Sequence, residues 1–119
     1  MISCTLVAGG TGSARLAAIA DRLDPALPTA VILEGIHPAH PAFQDSARPT
    51  PLFLSTIAPD CPCCGAGLVL RVTLDRMIQR RPGQLFISLA NAVHLDHLQQ
   101  FLSEPPYADW LHLTPAIAL

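Results

Sequence analysis

Ile2-Ser3-Cys4-Thr5-Leu6-Val7-Ala8-Gly9-Gly10-Thr11-Gly12-Ser13-Ala14-Arg15-Leu16 opens the chain and decides its class. Ile2 to Ala8 is apolar and β-rich, which suits a strand buried on both faces. Glycines at 9, 10 and 12 allow a tight turn, and Leu16, Ile19, Ala20 and Leu23 then recur at helical spacing until Asp24-Pro25 ends the run. Strand, glycine turn and helix in this order open an α/β domain.

The same alternation continues. Thr29 to Glu34 reads as a second buried strand, and Gly35 to Pro51, with four prolines and two histidines, as an irregular connection with at most one helical turn near Phe43. Leu52 to Ile57 is the third strand. Leu68 to Arg80 reads as a helix with Leu68, Val72 and Met77 or Ile78 inward, arginines 76, 80 and 81 near its C-terminal end, and Pro82-Gly83 as the stop. Gln84 to Leu89 is a fourth strand, Leu95 to Leu102 a helix closed by Pro105-Pro106, and Trp110 to Thr114 a short fifth strand. The expectation is one three-layer α/β domain over residues 1–119, with a mainly parallel sheet of about five strands flanked by helices.

Composition narrows the function. At 119 residues, half of them apolar, the chain can bury a real core. Its formal charge of −2 gives no basic field for nucleic acid and no patch for a membrane surface. All seven positive residues are arginines, so chemistry that needs an ε-amine is excluded. The apolar start lacks a positive leader and breaks early at Gly9-Gly10, which reads as a cytosolic protein, where cysteines stay reduced.

Three of the four cysteines fall in Cys61-Pro62-Cys63-Cys64-Gly65, directly after the third strand. Thiolates at this spacing cannot bridge one another without strain, whereas Zn²⁺ accepts two or three sulfurs from one turn. Cys61, Cys63 and Cys64 are therefore the candidate metal ligands, with Asp60 as a candidate oxygen ligand. The competing reading is three reduced thiols in a loop. His37 and His40, His94 and His97, and the lone His112 each have a metal reading and an ordinary surface or core reading. Ser88 and Asn91 end the fourth strand, yet only His94 is at hand as a base, and no catalytic residue is assigned. Glu34, Asp60 and Asp75 are the nearest acidic residues.

Gly9, Gly10, Thr11, Gly12, Ser13, Ala14 and Arg15 stand one step from a phosphate cradle. A P-loop ends in glycine, lysine and a hydroxyl, and here those places hold Ala14, Arg15 and Leu16. Arg15 could pair with a phosphate, but Leu16 cannot ligate Mg²⁺. GTP with Mg²⁺ is thus not the expected cofactor, and the loop is read either as a degenerate nucleotide or anion site or as a plain strand-to-helix turn. The dinucleotide fingerprint that Gly10 and Gly12 half-match, with Glu34 as its acidic partner, ranks below both.

In order, these pieces resemble the front half of the CobW-type P-loop GTPases, metallochaperones related to the nickel-insertion proteins of urease and hydrogenase. Thr5-Leu6-Val7-Ala8-Gly9 is similar to the strand before that family's G-x-x-G-x-G-K-T-T loop, and Ala30-Val31-Ile32-Leu33-Glu34 to its second strand. Cys61-Pro62-Cys63-Cys64 is like its G-C-x-C-C, followed by a helix and Arg81-Pro82-Gly83-Gln84-Leu85-Phe86-Ile87. Departures are equally specific. Arg15 and Leu16 replace lysine and threonine, Ser88-Leu89-Ala90-Asn91 replaces E-T-T-G, and no guanine-reading segment or C-terminal domain follows. The resemblance implies a P-loop-NTPase-like fold and a zinc site without turnover, with three readings of function: a non-hydrolysing metal-binding protein in metal homeostasis, a GTP-binding metallochaperone with Arg15 for lysine, or a degenerate assembly partner. It also implies a metal ion and an unknown client as partners, and a truncated sheet implies a homodimer. A second likeness, of Ala8 to Leu16 with the phospholactate transferases of deazaflavin-cofactor synthesis, covers only the first strand and turn.

Overall fold

The computed structural model describes residues 2–35, 43, 50–57, 68–90 and 92–119. The chain forms β1 (Ile2–Ala8), α1 (Gly12–Arg22), β2 (Thr29–Glu34), β3 (Leu52–Ile57), α2 (Leu68–Gln79), β4 (Gln84–Leu89), α3 (Leu95–Leu102), α4 (Tyr107–Trp110), β5 (Leu111–Leu113) and β6 (Ile117–Ala118). A 3₁₀ turn at Ala92–His94 leads into α3. The strands lie in the order β3-β2-β4-β1-β5, with β6 also on β1, and every pairing is parallel. This is the expected three-layer α/β architecture, consistent with a P-loop-like domain.

Side chains alternate across the sheet with period two and so divide the core. Cys4, Leu6, Ala30, Ile32, Leu85 and Ile87 face α2, α3 and α4, which bring Leu74, Leu98, Leu102 and Tyr107. Val7, Val31, Leu33 and Phe86 face α1, which brings Leu16 and Ile19. Phe43, on the connection after β2, packs against this second core.

β5 and β6 occupy one position along β1. Leu113 lies opposite Cys4 and Ile117 opposite Val7, so the offset between partners grows by one residue, from 109 to 110. One residue is therefore extra, as in a β-bulge, and Pro115, which has no N–H to give the ladder, falls at the interruption. The fifth strand is thus a bulged one. It begins at Leu111 rather than Trp110, because Tyr107–Trp110 forms a helical turn after the proline pair.

The inward stripe of α2 also differs from the spacing-based expectation. Leu70, Leu74 and Met77 are buried and Ile78 is partly buried, while Val72 is 43% exposed. The helix carries valines on a second face, and the sheet selects the stripe with the longer side chains at i, i+4 and i+7. Its stop is not a glycine: Arg81 adopts the left-handed conformation (φ 52°) and donates its N–H to the Ile78 carbonyl (3.0 Å) before Pro82.

α1 leaves β1 towards β2 on one side, whereas the connection from β4 passes over β1 to β5 on the other. The carboxyl ends of β1 and β4 therefore flank a topological switch point, the place where open α/β sheets form a crevice. No helix among the described residues is long and apolar enough to cross a membrane.

The phase of α2 can be checked by urea unfolding. Leu74→Ala, at a fully buried site, is expected to cost about 2–5 kcal/mol, and Val72→Ala to stay within about 0.5 kcal/mol. Equal losses would mean that the helix sits on its other stripe.

Candidate functional site

The glycine turn leaves β1 at the switch point. Gly9 and Gly10 have φ of 84° and 61°, conformations that L side chains rarely adopt. A methyl on Gly9 would also lie 2.7 Å from the Leu119 carbonyl oxygen. That oxygen is there because Leu119 donates its N–H to the Ala8 carbonyl (2.9 Å), extending the line of β6 over the turn. Gly9 itself donates to the Leu89 carbonyl of β4 (3.2 Å). Thr11 caps α1, its hydroxyl accepting from the Ala14 N–H (3.0 Å).

Arg15 points inward. Only 4% exposed, it donates from Nε to the Ser88 hydroxyl oxygen (2.8 Å) and from Nη1 to the carbonyls of Gly9 (2.9 Å) and Gly10 (3.1 Å). Buried arginine is tolerable only with such partners. A phosphate cradle offers N–H groups and a free cation to the ligand; here two carbonyls of the turn face the cation, and its fork is engaged by protein oxygens. At the same edge Glu34 accepts the Ala90 N–H through Oε1 (3.1 Å), joining the ends of β2 and β4. Gly9, Gly10, Thr11, Gly12, Ser13, Ala14, Arg15, Ser88 and Glu34 therefore do meet at one edge, where the cation of Arg15 is engaged by Ser88 and the two glycine carbonyls.

Other candidates are dispersed. Asp75 does not face this edge; it accepts the Tyr107 hydroxyl (2.9 Å) between α2 and α4, and burial followed by that carboxylate pushes the Tyr107 pKa up. Tyr107 also joins an aromatic row, with ring centroids 5.1 Å from Phe101 and 6.2 Å from Trp110. His112 is exposed on β5 opposite Ser3, at the amino half of β1, and His97 is exposed on α3. Asp60, Cys61, Cys63, Cys64, His37, His40 and Asn91, and the side chain of His94, lie outside the described residues. Among the described residues no three His, Cys, Asp or Glu side chains converge as a metal site. The segment 58–67 with its three cysteines joins the carboxyl end of β3 to α2.

Cys4 is a different kind of cysteine. Fully buried in the sheet centre, it has its thiol pushed up to about 12 by burial, which makes it inert as a ligand or nucleophile at neutral pH.

No family profile, curated protein or solved structure matches this chain.

Two outcomes are expected. Arg15→Met removes the guanidinium donor to the Ser88 hydroxyl and to two carbonyls and is expected to destabilise by about 2–4 kcal/mol in urea unfolding, with Ser88→Ala costing about 1–2 kcal/mol. An Arg15 in contact with solvent would give less than about 0.5 kcal/mol. For Cys4, the folded pKa of about 12 exceeds the ordinary 9.0, so the native state holds its proton more tightly. Its contribution is complete below pH 9.0 and is lost as pH rises towards about 12. The alkaline fall in stability should be shallower in Cys4→Ala; identical slopes would show a thiol that ionises in the fold.

Proposed function

We propose that the chain is a non-hydrolysing metal-binding protein that holds Zn²⁺ through Cys61, Cys63 and Cys64. Asp60, a histidine, water or a partner's side chain completes the set, and His112, at the amino half of β1, is set aside as the fourth ligand. The observation that carries this reading is the division of labour at the carboxyl edge of the sheet. The glycine turn there is closed by its own arginine and by Leu119, while the segment carrying three thiols leaves the same edge from β3. Three thiolates with one oxygen or nitrogen donor suit Zn²⁺, and also Cu(I) or Co²⁺. The cysteine turn's likeness to the CobW-type group points the same way. Bound metal would fix the connection between β3 and α2 and offer it to a client.

A nucleotide-gated version would require Arg15 to leave Ser88 and both glycine carbonyls before it could meet a phosphate, so metal binding without nucleotide is the preferred form.

Elemental analysis of protein purified without chelator is expected to give about one zinc per chain, lost in Cys63→Ser. Metal-free protein whose thiols titrate fully would reject the proposal in favour of a structural assembly role. Saturable binding of a labelled guanine nucleotide with Mg²⁺, abolished by Arg15→Met, would favour the gated version.

A further inference from the structure

Among the described residues β3 ends the sheet, with β2 along one flank only. The carbonyls of Pro51 and Ile57 accept from Thr29 (3.0 Å) and Gly35 (2.9 Å), so odd-numbered residues direct their backbone polar groups to β2. By the alternation of a strand, Leu52, Leu54 and Thr56 turn theirs outward, and no strand among the described residues pairs with them.

A cleft of about 350 Å³ runs along this edge, walled on one side by residues 52–55 of β3 and on the other by Thr73, Arg76 and Met77 of α2 and by Arg80 just after it. Arg80 stacks 4.7 Å over the Phe53 ring, and neither Arg76 nor Arg80 pairs with a carboxylate among the described residues. Across the sheet the character changes: Leu54 is 47% exposed on the α1 side, beside the half-buried Leu52. The edge thus offers backbone pairing, a cationic flank and an apolar flank.

We propose that the β3 edge docks an extended, acidic segment of a partner protein as an additional strand. Its carboxylate side chains lie on the α2 side against Arg76 and Arg80, and its apolar side chains alternate onto Leu52 and Leu54. A second copy of this chain fits poorly, because Leu52–Ile57 contains no carboxylate and an edge-to-edge pair would gather the arginines of both copies on one seam. This assignment is independent of the metal reading.

The test is fluorescence anisotropy with labelled peptides of about eight residues that alternate valine with glutamate or valine with lysine. The glutamate peptide is expected to bind saturably and the lysine peptide not at all. In the double variant Arg76→Glu/Arg80→Glu the preference should reverse, with the glutamate peptide weakened about tenfold or more. Leu54→Pro removes one outward N–H without touching the β2 ladder and should abolish binding with the circular dichroism spectrum unchanged. Equal binding of both peptides, no binding at millimolar peptide, or full binding by a folded Leu54→Pro variant would overturn the proposal. So would a homodimer in light scattering that Leu54→Pro dissolves, and the charge reversal decides the matter should the proline variant not fold.

Discussion

One buried guanidinium holds the carboxyl edge of this domain together. Arg15 sits on α1, yet its donors reach β4 through Ser88 and the end of β1 through Gly9 and Gly10, so a helix, a strand and a turn are tied at one point. A charge removed from water is costly unless oxygen dipoles replace the hydration shell, and the two glycine carbonyls and the hydroxyl do so. A planar fork with donors on separate nitrogens can satisfy three oxygens around it, which a lysine's single ammonium on a flexible stem would do with less geometric control. Arg15, at the place where a P-loop would carry its lysine, is here a structural member.

Closure of the turn has a second cause in the last residues of the chain. Because the bulge near Pro115 lets β6 resume beside Val7 and Ala8, Leu119 comes to lie against Gly9 and Gly10. Glu34 adds an anionic oxygen at the same edge, which opposes a second anion. The proposed metal segment and docking edge lie away from this closed turn, on the flank formed by β3 and α2. That flank leads into the cysteine segment at one end and carries arginines along its cleft that pair with no carboxylate among the described residues.

Much of this was legible in the residues. The four long strands begin and end where read, and in β1, β2 and β4 apolar runs such as Ala30–Leu33 are buried on both faces and leave no ambiguity of face. The phase of α2 was ambiguous, since valines at 69 and 72 compete with Leu70, Leu74 and Met77, and only the shape of the sheet decides. Trp110 has strand propensity, but the proline pair before it leaves room for a helical turn first. The inward course of Arg15 had a signal: it stands four residues before Ile19, on the same helical stripe. Contact between Leu119 and Gly9, 110 residues apart, has no local trace and depends on the bulge. For Cys61, Cys63 and Cys64 the donor chemistry is readable from type and spacing, and their geometry lies outside the described residues.

The ends of the cysteine segment bear on what a metal could do there. Before it, Ile57 is buried and its carbonyl is held by the Gly35 N–H; after it, Leu70 and Leu74 fix the start of α2 to the sheet. Closing a loop between anchored ends costs far less entropy than closing it between free ones, so most of the ordering needed to gather three thiolates is already present in the fold. Folding should consequently not require the ion, unlike a zinc finger, although metal bound to the folded chain would still stabilise it by mass action. On the proposed metal reading, the brace at Arg15 rather than the metal carries the stability of the carboxyl edge, so loss of the ion need not unfold the domain.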